Sequence, residues 1–223
     1  MLKKPNISNR MINKYIPALR FHWLTNIYDW LVSGLMPEKE LKNEIIKNAN
    51  IQDNYTVLDF GIGTATLSIM AYKSNPKAIF KGLDIDDNIL KIAKQKIKNS
   101  NVKIELIKYN GGTLPFSDNT IDRIITSLVL HHLTTEQKLE AFFEFKRVLN
   151  SDGELHIADW GKASNYLMRL MFNVVQLLDG YKTTNDNVKG KLPSIIKQAG
   201  FKQVNISQKI NTVLGTVEIF QVK

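Results

Sequence analysis

The sequence predicts an α/β protein built on a doubly wound, mostly parallel sheet that finishes with an antiparallel C-terminal strand. Three observations carry this. Between residues 50 and 160, short apolar runs ending in acidic or small residues alternate with helical patterns, as in successive βαβ units. The first run leads into a turn with two glycines, Gly61 and Gly63, where a strand hands over to a helix. Near the end, two strand-like runs follow each other without room for a crossover helix, so they must pair antiparallel.

Taken in order, residues 1–50 form an N-terminal helical cap carrying Tyr15, Phe21, Trp23, Tyr28 and Trp30. The core, 51–161, holds strands at 56–60, 78–84, 102–109, 121–127 and 154–159. Helical patterns lie between them at 64–73, 88–97 and 136–149, the last opened by Thr134 with Gln137 three residues later, the spacing of a capping box. Residues 162–191 form an apolar insertion in which Arg169, Asn173 and Gln176 share one helical face. It reads either as core packing or, because it follows the fifth strand, as a lid over the carboxyl ends of the strands, where open α/β sheets bind ligands. A helix at 192–199 stops at Gly200, and strands at 201–210 and 216–222 complete the chain. No repeat or long linker divides it, so residues 1–223 are read as one domain.

Composition narrows the chemistry. Thirty Lys plus Arg against 21 Asp plus Glu give a formal charge of +9, which invites acidic or phosphate-bearing partners without naming one. The absence of cysteine removes disulfides, thiolate metal sites and cysteine nucleophiles, and agrees with a cytoplasmic protein. Residues 1–10 are charged without an apolar signal region, and no apolar run approaches the roughly 18 residues of a spanning helix.

The Gly61/Gly63 turn lets backbone approach a ligand, and the following helix offers unpaired N–H groups. A dinucleotide pyrophosphate would meet the carboxylate of Asp59 there, and Thr66 stands where such sites want Gly or Ala. Both details favour a ligand that is cationic near the first strand, such as S-adenosylmethionine. Asp84, closing the second strand 21 positions after Gly63, can accept hydrogen bonds from both ribose hydroxyls.

At this point the stretch from Val57 to Gly161 resembles the class I S-adenosylmethionine-dependent methyltransferases, and most closely the ubiquinone and menaquinone methyltransferase branch with its small-molecule relatives. Four motifs match in order: VLDFGIGTA from Val57, GLDIDDNIL from Gly82, LPFSDNTIDRIITSLVLHHL from Leu114 and RVLNSDGELHIADWG from Arg147. The resemblance implies a Rossmann-like seven-stranded sheet with an antiparallel hairpin at its edge. It implies Asp59, Gly61, Gly63 and Thr64 around the methionine end of the cofactor, and Asp84 with Ile85 at the ribose. Relatives carry Asp-Ala at the adenine; here the pair is Asn110-Gly111, whose amide oxygen can still accept a hydrogen bond. Ala65 replaces the usual third glycine, and Ser127 and Leu128 should border the ligand through their backbone.

Methyl transfer is an in-line displacement that relies on alignment and exclusion of water, with S-adenosylhomocysteine as the product and no metal required. For a phenolic or enolic acceptor a base must take a proton, and His131, His132 and Asp159 stand near strand ends. His131 is the first choice as catalytic residue, with capping or packing beside the cofactor as the alternative role. The resemblance also matches Tyr28-Asp29 to the Tyr-Asp of a helix that folds over the cofactor, making Tyr28 a second catalytic candidate, with anchoring of that helix as the alternative.

The sequence Ser127-Leu128-Val129-Leu130 stands where adenine and glutamine methyltransferases have an Asn/Asp-Pro-Pro-aromatic motif, which disfavours that class. The expected acceptor is a small apolar or amphipathic molecule: a quinol, phenol or lipid-like compound. One alternative is an RNA methyltransferase, disfavoured because the lysines are scattered and no RNA-binding module is present. The other is a membrane-surface S-adenosylmethionine-binding protein without turnover, using the basic face and the amphipathic insertion to make peripheral contact with a membrane.

Overall fold

The computed structural model describes residues 37–223. Tyr28 and the other aromatic residues of the N-terminal cap before Pro37 lie outside the described residues. The elements are α1 (Glu38–Ala49), β1 (Thr56–Phe60), α2 (Thr66–Ser74), β2 (Ile79–Asp84), α3 (Asp87–Asn99), β3 (Ile104–Lys108) and β4 (Ile121–Ser127). A single 3-10 turn (Leu130–His132) then precedes α4 (Thr135–Val148), β5 (Leu149–Trp160), α5 (Tyr166–Asp179), α6 (Tyr181–Val188), α7 (Leu192–Gln198), β6 (Val204–Asn211) and β7 (Thr216–Val222).

The seven strands form one sheet in the order β3-β2-β1-β4-β5-β7-β6. β1 to β5 pair in parallel, and β7 runs antiparallel to both β5 and β6, as the terminal pair of runs in the sequence requires. The order reverses direction between β1 and β4. In open α/β sheets the crevice outside the carboxyl ends of such a switch point binds the ligand.

Period-two alternation along the strands sends neighbouring side chains to opposite layers. Leu58, Ile124, Ile157 and Phe220 pack with Phe142 and Phe145 of α4 and Ile195 and Ile196 of α7. Val57, Ile125, Ala158 and Ile219 face the other way, onto Leu41 and Ile45 of α1, Ala71 of α2 and Phe172 and Val175 of α5. Burial of large apolar side chains on both faces contributes about 1.5–3 kcal/mol each and explains why the central strands read as unbroken apolar runs.

Helix starts follow local chemistry. Asp86 caps α3 by accepting from Asn88 N at 2.8 Å, and Asn165 caps α5 by accepting from Met168 N at 2.8 Å. The capping box of α4 is complete: Thr134 N donates to Gln137 Oε1 at 2.9 Å and Gln137 N to Thr134 Oγ1 at 3.3 Å.

The longest boundary difference from the sequence reading is at β5. β5 begins at Leu149, not at 154, because Leu149 pairs with Ile121 across a register shift before the regular ladder starts at Arg123 and Glu154. Of the three polar residues on one face of α5, Gln176 is buried, and its amide donates to Thr184 Oγ1 of α6 at 3.1 Å, whereas Arg169 and Asn173 are half-buried. Among the described residues no helix is long and apolar enough to cross a membrane.

Candidate active site

The turn after β1 is spliced onto β2 by two hydrogen bonds, from Gly61 N and Ile62 N to Leu83 O at 2.9 and 2.8 Å. Gly61 and Gly63 adopt left-handed conformations, with φ of 73° and 54°. Their reasons differ. A Cβ on Gly61 would lie 2.5 Å from Val129 Cγ2, so the turn can approach the segment after β4 only without a side chain there. At Gly63 a Cβ would meet nothing within 4 Å, which leaves open space over the backbone. Thr64 is exposed beside it. Ala65, the position of the missing third glycine, is also left-handed at φ 64° and costs about 1–2 kcal/mol relative to glycine.

The two carboxylates of this edge behave differently. Asp59 is buried and turned into α2, accepting from Ser68 Oγ at 2.6 Å. Burial pushes its carboxyl up to about 7, against the opposing pull of the Ser68 hydroxyl and the Lys42 ammonium. Asp84 is half-buried at the end of β2, where Oδ2 accepts from Gly63 N and Oδ1 from Asp86 N, each at 3.0 Å. Each oxygen keeps a second lone pair for a ligand. Asp84 therefore also fixes the glycine turn, a role the sequence did not announce.

Ile85, Asn110 and Gly111 are exposed at the ends of β2 and β3. Gly111 and Gly112 have φ of 83° and 77°, and a Cβ on either would again meet nothing within 4 Å. Open space over Gly63 and Gly111, acceptor capacity on Asp84 and an apolar side chain at Ile85 fit the methionine, adenine and ribose parts of S-adenosylmethionine.

After β4, Leu128 takes φ 57°, rare for a non-glycine residue, while its N–H donates to Ala158 O at 2.8 Å. Ser127 precedes it, half-buried. The turn that follows delivers His131 to Asp159 at the end of β5, with Nδ1 and Oδ1 2.8 Å apart. Asp159 Oδ2 also accepts from Leu130 N at 2.7 Å and His131 N at 3.3 Å. Its Oδ1 further accepts from Trp160 N at 2.7 Å and Asn187 Nδ2 at 3.2 Å. Burial opposes the charge of Asp159, yet the His131 imidazole and these donors hold the carboxyl below its ordinary range. An ionised carboxylate at Nδ1 orients the ring and selects the tautomer protonated there. The neighbouring His132 is pushed down to about 3 by burial and by His131, so it stays neutral.

Several residues at this edge escaped the sequence reading. α6 packs on the 130–132 turn and on β5, and supplies Asn187 to Asp159. Lys138 of α4, fully buried, donates to Leu133 O at 2.9 Å and Thr183 O at 2.6 Å and lies 3.6 Å from Asp186 Oδ2. Arg147 and Glu144 tie down the 114–116 segment: Arg147 Nη1 reaches Phe116 O at 2.8 Å and Glu144 Oε2 accepts from Leu114 N at 2.7 Å. The only available signal was the polar run at 183–187 inside an otherwise apolar insertion. Among the described residues no cluster of three or more His, Asp or Glu is placed to hold a metal ion.

Comparison with known proteins agrees with this geometry. Residues 57–153 match the family described as a methyltransferase domain. The chain is 30% identical over 169 residues to the ubiquinone/menaquinone biosynthesis C-methyltransferase UbiE of Blochmanniella floridana, covering 73% of this chain and 65% of that protein. It is 31% identical over 157 residues to the demethylmenaquinone methyltransferase of Listeria welshimeri, covering 69% and 66%. The chain thus spans about two thirds of the length of these curated relatives. Its fold matches the crystal structure of a SAM dependent methyltransferase from Aquifex aeolicus with a TM-score of 0.63 at 19% identity, over 87% of this chain and 97% of that one.

Residues 57–153 match a methyltransferase domain, and the sheet and glycine turn around them are similar to those of S-adenosylmethionine-dependent methyltransferases. Within that class the chain is similar to the quinone methyltransferases.

Proposed function

We propose that this protein transfers the methyl group of S-adenosylmethionine to a ring carbon of a quinol-like, amphipathic acceptor. The observation that carries the reading is the His131–Asp159 pair at the carboxyl edge, next to the cofactor turn, in a chain similar to quinone C-methyltransferases. In this reading the buried His131–Asp159 pair receives the proton of an acceptor hydroxyl, and the phenolate directs electron density to the adjacent ring carbon. That carbon attacks the methyl group as the carbon–sulfur bond breaks, which leaves neutral S-adenosylhomocysteine. Loss of the ring C–H proton restores the aromatic ring. In this reading Asp84 accepts from the ribose hydroxyls, Asn110 and Gly111 face adenine, and Ile85 covers the ring. Gly61, Gly63 and Thr64 hold the methionine end over Asp59, while Ser127 and Leu128 wall the methyl group. Residues 162–191 act as the lid on the acceptor side.

The test is incubation of the purified chain with methyl-labelled S-adenosylmethionine and short-tailed demethylmenaquinone in reduced and oxidised forms. Label should enter the reduced ring only; a protein that binds cofactor but labels no quinol would refute the acceptor class.

Two further results follow from the cofactor assignments. Asp84→Ala should weaken S-adenosylmethionine by about 1–3 kcal/mol, because the ribose loses its acceptor and Gly63 N its anchor. Unchanged calorimetric affinity would remove Asp84 from the site. The second concerns Asp59, which titrates at about 7. A bound sulfonium and ammonium favour its ionised form, so binding releases a proton; affinity climbs as pH rises through about 7 and levels off above it. Titrations in buffers of different ionisation enthalpy count that proton, and a flat affinity with no proton released would separate Asp59 from the cationic group.

A further inference from the structure

The insertion at 162–191 turns an apolar face outward. On α5, Tyr166, Leu167, Leu170 and Leu177 are 84, 65, 48 and 64% exposed, and Tyr181, which opens α6, is 55% exposed. At about 100° per residue the four positions of α5 fall within one arc, opposite the buried Phe172 and Val175. An ordinary surface helix presents polar residues there. Single exposed leucines are common, but four large exposed apolar side chains within one arc of a helix mark a contact surface.

Both ends of the stripe are basic. A Cβ on Gly190 would lie 3.6 Å from Lys162 Cβ, which gathers the exposed Lys162, Lys189 and Lys191 near the start of α5. Exposed Lys182 follows Tyr181 at the other end, within electrostatic reach of Glu136. Asp186 is buried and engaged by Thr135 Oγ1 and Lys138. The composition separates two kinds of partner. Protein–protein interfaces are depleted of lysine, and leucine is under-represented among their strongest contacts. Leucines flanked by lysines and tyrosines are the composition of a helix lying in the boundary of a bilayer.

We propose that this face seats the protein on an anionic lipid surface, with Tyr166, Leu167, Leu170 and Leu177 entering the headgroup boundary and the lysines at both ends meeting lipid phosphates. The face belongs to the segment that follows β5 and packs on one face of the sheet, so docking brings that helical layer to the membrane. The inference does not depend on which acceptor is methylated, because its test measures binding alone.

The full chain is sedimented with vesicles of phosphatidylglycerol and phosphatidylcholine, and with phosphatidylcholine alone, at low and high salt. Binding is expected to the anionic vesicles and to weaken as salt rises. Leu170→Ser with Leu177→Ser should lower vesicle affinity about tenfold or more while the melting temperature and S-adenosylmethionine affinity stay unchanged. Lys162→Gln with Lys189→Gln should reduce the salt dependence. Absence of binding to anionic vesicles overturns the proposal, and so does a leucine variant that binds as the wild type does. A concentration-dependent dimer that the leucine variant abolishes would assign the stripe to a second copy and overturn it equally.

Discussion

Replacing Asp159 with asparagine is expected to lower kcat about a hundredfold to ten-thousandfold on a quinol acceptor, the range spanned by positioned acid–base groups. The carboxylate holds Nδ1 of His131 at 2.8 Å and is itself fully buried, so in the proposed reaction its charge stabilises the imidazolium. An amide there is neutral and can turn its NH2 to the imidazole, selecting the wrong tautomer. Because Asp159 also gathers four other donors, the Asp159→Asn variant risks local loosening, and His131→Gln supplies the second measurement. Both variants should bind S-adenosylmethionine normally by calorimetry. Both should recover activity as pH rises, since a more ionised acceptor has less need of a base. A kcat within twofold of wild type in the His131 variant would return His131 to a packing role.

The largest effect on stability is expected at Lys138. Lys138→Met should cost about 3–5 kcal/mol, because it leaves the buried Asp186 without its cation and Leu133 O and Thr183 O without their donor. Desolvation draws the Lys138 ammonium below its ordinary pKa, opposed first by Asp186 and then by Asp159, so these carboxylates help keep the charge in place. Urea unfolding measures the loss. Adding Asp186→Leu to Lys138→Met should recover part of it, since the second change removes the uncompensated charge. A single variant as stable as wild type would show that water reaches this cluster.

The parts of the fold legible in the sequence were those with a short-range signature. Alternation fixed β1 to β4, the Thr134–Gln137 spacing fixed the start of α4, and the missing crossover fixed the antiparallel sense of β7. The strand-to-helix turn at Gly61 and Gly63 was legible the same way. The environment of Asp159 was not, because Leu130, His131 and Asn187 come from 28 or 29 positions away and leave no periodic trace. The start of β5 was hidden because Asn150-Ser151-Asp152-Gly153 reads as a turn, and only pairing of Leu149 with Ile121 makes it strand. The outward stripe of α5 was hidden because the helix is apolar on two sides, so its pattern does not say which side meets the sheet. Tyr28 lies outside the described residues.

The position of β7 also sets an order of assembly. β6 precedes β7 in the chain, yet β7 lies between β5 and β6, so β6 can join the sheet only through a partner made after it. The 212–215 connection, closed by Thr212 N to Gly215 O at 2.8 Å, lets the two form first as a local hairpin. Docking that hairpin onto β5 is the late, non-local step, the kind of pairing that slows folding. Native-state hydrogen exchange should then find β6 opening before the five parallel strands, at a lower free energy than global unfolding.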